Sequence, residues 1–296
     1  MPVRHQLLAL LVAGIWGTNF VLIRQGLDEL PPTLFVALRF LFSALPLVFF
    51  LPAPRVPRRA LALYGLLIGC GQFGLLFRAM ESSISPGLAS LVIQLQAPFT
   101  ILLAVATLGE PVRARQGFAL LVCLGGLATI ALFTDGSATP LGVALVLLAA
   151  LAWAAGNLVI KRVGPVDAVA FLAWSSLAAA PPLLAAALWL DGWQANVEAL
   201  RAASARAWLI VAWQAVGNTL IGYGVWNWLL ERHPAAAVAP WALAVPVFGM
   251  GTSWWVLGEP LPWWKLAAAG MILAGLALNL HAARHAREIG GNVAGR

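Results

Sequence analysis

Charge is the scarcest property of this 296-residue chain: Asp, Glu, Lys and Arg make up 10% of it, against 61% apolar residues. A soluble domain carries about 25% charge, so this composition cannot clothe a water-facing surface, and a multi-pass membrane protein is the class that fits. Cysteine is rarer still by count, with two residues, which excludes a secreted disulfide scaffold. Those two, Cys70 and Cys123, fall inside apolar stretches without neighbouring ligands and read as small packing residues. The four histidines (His5, His233, His281 and His285) fall at helix ends or tails. There is no His-Glu-x-x-His, no Gly-x-Ser-x-Gly and no P-loop. Nothing therefore points to a catalytic residue, a metal or a cofactor. Long polar segments are missing too: the longest, Asp191 to Arg206, is too short for a separate domain.

What the chain has is apolar length. Ten stretches can be marked, at about 5–24, 32–51, 60–80, 86–108, 114–133, 140–161, 166–190, 207–230, 234–257 and 262–283. Each is near the ~20 residues that a membrane-crossing helix needs. Turn and charge signals divide them, among them Pro31-Pro32, the 52–59 segment, Ser82 to Pro86, Asp135-Gly136 and Gly164-Pro165. The first stretch has no small-residue cleavage site and is too long for a signal-peptide core, so it reads as a retained helix.

The excess of Lys and Arg beside spans marks the cytoplasmic side. With the N-terminus inside, twelve of the eighteen basic residues lie on inner segments (Arg4, Arg55, Arg58, Arg59, Arg113, Arg115, Lys161, Arg162, Arg232, Arg284, Arg287, Arg296). Arg24, Arg78, Arg201, Arg206 and Lys265 lie outside, and Arg39 lies within a span. Both termini are thus expected in the cytoplasm. The net charge of +7 is absorbed by topology, leaving no basic face for nucleic acid. Trp189, Trp193, Trp208, Trp254, Trp255, Trp263 and Trp264 map to outer helix ends and read as an interfacial belt.

The chain also repeats itself. Gly109-Glu110-Pro111 returns as Gly258-Glu259-Pro260, displaced by 149 residues, and Gly126-Leu127-Ala128 returns as Gly275-Leu276-Ala277 at the same displacement. Pro86 and Pro98 match Pro234 and Pro246, Phe35 and Pro46 match Phe171 and Pro182, and Trp16 through Arg24 matches Trp153 through Lys161. The expected division is residues 1–135 and 136–296, the second part ending in a short cytoplasmic tail. Five spans per half is an odd number, so the halves would enter the membrane with opposite orientation. Glu110 would then lie at the cytoplasmic face and Glu259 at the outer one. Inverted repeats of this kind place a central site at their interface and permit alternating access.

Two five-helix halves, an early Trp-Gly-Thr-Asn-Phe (16–20), Leu38-Arg39-Phe40 in the second helix and a Gly-Glu-Pro after helices four and nine resemble the EamA-type branch of the drug/metabolite transporter superfamily. The resemblance covers nearly the whole chain. It implies an all-α integral membrane protein of ten helices with both ends cytoplasmic, and export of amino acids or related metabolites. It also implies a pathway lined by helices three, four, eight and nine with helices one and six.

Polar groups inside spans must find partners or line a cavity. The candidates for substrate binding are Trp16, Asn19, Gln72, Gln94, Trp153, Asn157, Gln214, Asn218, Tyr223, Trp226 and Trp241. Their amides offer donors and acceptors to a zwitterion, and their rings offer flat apolar walls. Gln94 and Gln96, two positions apart, should not both face one cavity. Arg39 could attract a carboxylate, but its counterpart in the second half is Ser175, which favours a structural role. Prolines inside spans (Pro46, Pro98, Pro181-Pro182, Pro240, Pro246) loosen helices, and the repeat-equivalent Pro98 and Pro246 are the candidate hinges beside the cavity. All eleven acids fall at or near helix ends, so no carboxylate proton site is expected and transport should be facilitative. The expected partners are a small-molecule substrate, an amino acid with an apolar or aromatic side chain before others, and the lipid bilayer of a bacterial inner membrane. The chain is expected to act as a monomer. Drug or organic-cation efflux, and a multi-pass enzyme or lipid-handling factor, are the competing readings.

Overall fold

The computed structural model describes residues 1–109, 114–133, 135–233 and 235–294. Glu110, Pro111, Arg113, Pro234 and Arg296 lie outside the described residues, as do the side chains of Arg284, His285 and Arg287. The described chain is helical, with one isolated bridge between Ile84 and Ala138. We number its helices α1 (Val3–Gly26), α2 (Pro32–Val48), α3 (58–82), α4 (86–108), α5 (Ala114–Leu132), α6 (Pro140–Val163), α7 (Ala168–Leu190), α8 (Trp193–Ala202), α9 (205–232), α10 (235–257) and α11 (Trp263–Ala294). Seven stretches, in α1, α3, α4, α5, α6, α7 and α11, are long and apolar enough to cross a membrane. The other three expected spans form helices that stop short of that measure. α2 has 17 residues, α9 carries Gln214, Asn218 and Asn227, and α10 opens with four α-helical residues followed by a 3-10 segment. Within the polar 191–206 segment, too short for a domain, Trp193–Ala202 folds into the short helix α8.

Local chemistry sets the helix ends. Thr139, Asp167 and Ser204 cap α6, α7 and α9, each side chain accepting from backbone N–H groups of the first turn. Such a cap contributes about 1 kcal/mol. The glycines of the two Gly-Glu-Pro motifs terminate α4 and α10 in the left-handed conformation, both with φ +67°. Glycine occupies that region without steric penalty, which accounts for the first residue of the motif. Pro181 and Pro182 lie inside α7, which continues through them.

Packing obeys a pseudo-two-fold relation. α5 pairs with α11 and α2 with α7, each helix meeting its own counterpart. At the first pair the match is reciprocal: a Cβ on Gly126 would meet Ala268 O at 2.9 Å, and one on the equivalent Gly275 would meet Ala119 O at 2.7 Å. Small residues let helix backbones approach closely inside a membrane. The remaining helices exchange partners between halves. α6 packs on α3 and α4, while α1 packs on α9 and α10, so each inner bundle borrows one helix from the other half.

Departures from α geometry repeat as well. Leu66–Gly74 in α3 and Trp213–Ile221 in α9 are nine-residue π segments. Ile93–Leu95 in α4 and Ala239–Ala244 in α10 are 3-10 segments. π and 3-10 stretches inside helices mark functional or strained positions, and all four border the centre of the molecule.

Candidate functional site

A cavity of about 500 Å³ lies between the two exchanged bundles. Helices α1, α3, α4, α6, α9 and α10 contribute to it, as does the start of α7 through Ala168, Phe171 and Leu172, and it reaches the Gly164–Val166 turn after α6. Nine of the expected binding residues line it: Trp16, Asn19, Gln72, Gln94, Trp153, Asn157, Asn218, Tyr223 and Trp226. Two do not. Gln214 is fully buried behind the wall, where it bonds Arg39 and Asn19. Trp241 packs instead with the small cluster of Ala9, Leu229 and Val238, because the 3-10 segment at Ala239–Ala244 changes the rotation of α10 ahead of the cavity.

Gln94 and Gln96 both line the cavity, against the helical spacing argument. The 3-10 turn over Ile93–Leu95 removes the 100° register on which that argument rested. Gln96 accepts from Asn157 Nδ2 at 3.0 Å, and the same nitrogen donates to Thr100 Oγ1 at 3.2 Å, tying α6 to α4. Aromatic wall residues that sequence reasoning left out are Phe20, Tyr64, Phe73 and Phe171. In apolar spans such rings carry no signal that separates a cavity wall from the core. Trp16 meets Tyr223 and Trp226 with ring centroids 5.2 Å apart in each case, and Trp16 Nε1 donates to Asn218 O.

Among the described residues, the lining holds no Asp, Glu, His, Lys or Arg. Behind the wall lies Arg39, 2% exposed, whose guanidinium is 3.7 Å from the centroid of the Phe73 ring. It donates to Gln214 Oε1 at 2.9 Å and Thr219 Oγ1 at 3.4 Å. Gln72 Oε1 is buried without a hydrogen-bond partner.

Pro246 is the second residue of the α-helical part of α10, and Pro98 the third of that of α4, each just past a 3-10 segment. Neither touches the main cavity, although both were expected beside it: Pro98 borders a separate small void with Cys123 and Gly275. In a first helical turn the missing N–H of proline is unpaired in any case, so both begin helices and do not break them.

One end of the bundle is laced by polar contacts. Asp191 accepts from Leu34 N and Thr33 Oγ1 and pairs with Arg78 at 3.7 Å. Glu29 accepts from the backbone and hydroxyl of Ser204, which hold its carboxyl below the usual range. Ser85 N donates to Ser137 O, and Thr139 N to Ser83 O. Glu259 accepts from Ser85 Oγ, Gly87 N at 2.9 Å and Lys265 Nζ at 3.2 Å. This cluster joins the start of α4 to the end of α10, and thus one exchanged bundle to the other. Glu259 and Lys265 are buried, and so is Trp264 at 5% exposure. Trp264 is therefore a packing residue, whereas Trp189, Trp193, Trp254, Trp255 and Trp263 are exposed as a belt requires.

A family model described as the EamA-like transporter family matches residues 4–132 and again 140–280. A protein of Salmonella typhimurium named "Probable amino-acid metabolite efflux pump" is 40% identical, over 92% of this chain and 93% of its own. Its namesake in Escherichia coli is 37% identical over 98% and 99%. A solved structure described as "Crystal structure of protein" shares the fold with a TM-score of 0.61, at 18% identity over 96% of this chain and 99% of its own.

Proposed function

Because this chain belongs to the EamA-like transporter family, we propose that it exports amino acids, or metabolites built on them, by alternating access across a bacterial inner membrane. The observation that carries this reading is the cavity itself: amides and aromatic rings, with no charged side chain among the described residues of its wall. A neutral wall rich in paired donors and acceptors suits a zwitterion, and a drug-like cation would want a carboxylate there. Relatives at 37 and 40% identity named as amino-acid metabolite efflux pumps support the substrate class. The proposal includes ten crossings as two inverted halves divided near residue 135, both termini cytoplasmic, and a carrier without enzymatic activity. The basic residues beside the spans support that orientation. On it, the laced end faces outward and the cavity faces the cytoplasm.

Of the expected binding residues, the nine in the wall are proposed to contact substrate, and Gln214 to act from behind it. Without a carboxylate or histidine in the wall, the cycle is facilitative. The test is counterflow of labelled amino acids in proteoliposomes. Trp16→Ala and Tyr223→Ala should each slow exchange at least about tenfold, the rate equivalent of ~1.4 kcal/mol, while Trp263→Ala, in the exposed belt, leaves it intact. Exchange should not become concentrative when a pH gradient is imposed. Equal loss in all three variants would refute the cavity assignment, and gradient-driven accumulation would refute the facilitative cycle.

A further inference from the structure

Arg39 sits within the span of α2 with no carboxylate among its described partners. A guanidinium has donors and no acceptor, and that fixes everything in front of it. Gln214 must turn Oε1 toward Arg39, so its Nε2 points away and donates to Asn19 Oδ1 at 2.7 Å. Asn19 must then turn Oδ1 toward Gln214, and the group left for the cavity that Asn19 lines is its Nδ2 amide, a donor. The two amides therefore stand head to tail from a buried cation, each polarising the next. Their free end is a hydrogen-bond donor backed by a positive charge.

A buried cation with no described counter-charge is disfavoured even when hydrogen-bonded, and a carboxylate in the cavity would supply that counter-charge through the two amides. The opposite pole is present too. Gln72 Oε1, on the π segment of α3, is a buried acceptor without a partner among the described residues, and Gln72 lines the same cavity.

We infer that the cavity reads the two ends of an α-amino acid: its carboxylate docks on Asn19, with Arg39 as a positioning residue acting through Gln214, and its ammonium docks on Gln72. The inference rests on the amino-acid export reading and adds a requirement for a free carboxylate. Amines, amides and esters of the same side chain are excluded at the Asn19 end.

The experiment uses the amino acid that the wild type exchanges best in counterflow, with its C-terminal amide and its N-acetyl derivative as competitors. Wild type should prefer the free amino acid to the amide by about tenfold or more. Arg39→Gln should raise KM for the amino acid about tenfold, leave competition by the amide unchanged, and so erase the preference. Arg39→Lys should restore part of it. Asn19→Asp, nearly isosteric, should reverse it in favour of the amide, and Gln72→Leu should abolish discrimination against the N-acetyl derivative. A merely structural Arg39 would lower transport of acid and amide alike, and that result overturns the inference, as does an unchanged preference in Asn19→Asp. Should Arg39→Gln fail to fold, Asn19→Asp decides the matter. If wild type exchanges no amino acid, the export reading itself falls, a result visible before any variant is made.

Discussion

Lys265 is fully buried, and its ammonium donates to Glu259 Oε1 at 3.2 Å and Pro260 O at 3.0 Å. Glu259 is itself held by Ser85 and Gly87. Removing one partner of such a pair leaves the other charge buried and costs about 3–5 kcal/mol, whereas removing both can be nearly neutral. Lys265→Met should therefore lower the melting temperature in detergent sharply, and Glu259→Gln combined with Lys265→Met should recover most of the loss. Additive losses would mean that the two side chains are not coupled. Sequence reading found half of this site. The Gly-Glu-Pro repeat is visible as a motif, but Lys265 reads as an ordinary outer charge and Trp264 as a belt ring, because Glu259 and Lys265 are six positions apart across a turn, a spacing with no helical period. Arg39 was visible as an anomaly for the opposite reason: a cation inside an apolar run stands out by composition alone, although its connection to Asn19 needs the fold.

At the scale of the helix, apolar periodicity locates segments and misses changes of helical type. The stretches expected at 60–80 and 207–230 both turn out to contain π segments, and nothing in their composition separates them from α-helix. Helical spacing set Gln94 against Gln96, but the 3-10 turn at Ile93–Leu95 intervenes, where the α register does not hold. Trp241, chosen for its ring between two prolines, lies in the 3-10 segment Ala239–Ala244 and packs with Ala9, Leu229 and Val238. Pro98 and Pro246 follow those two turns, away from the main cavity, and their role as hinges is a proposal. A 3-10 turn ahead of a proline-initiated helix holds few i→i−4 bonds, so bending there breaks little. As hinges, Pro98→Ala and Pro246→Ala should each reduce turnover severalfold at unchanged KM in counterflow, with melting temperature retained. A parallel change in KM would place their effect in the binding site and remove them as hinges.

For the whole molecule, the exchange of α1 and α6 between halves makes two bundles distinct from the α2–α7 and α5–α11 pairs, and the proposed alternating access would rock one bundle against the other. The structure holds them together at one end through the Glu259 cluster, while the cavity extends toward the Gly164–Val166 turn at the other. The pseudo-symmetry is imperfect where it matters for this balance: the residue 149 positions before Lys265 is Gln116. The two halves therefore differ at this position, and weakening the Glu259–Lys265 pair should shift the population between the two proposed states. In a background with Cys70 and Cys123 replaced by Ala, a cysteine placed at Gln94 sits in the cavity wall, two helical turns from Gly87. An impermeant maleimide applied from the laced side should label it slowly. Glu259→Gln keeps the size of the side chain while removing its charge, so it should raise that rate several-fold and lower labelling from the opposite side in inverted vesicles. Unchanged rates from both sides would show that the cluster is a passive scaffold. A rise from both sides would mean that the helices have loosened generally, without a shift between states.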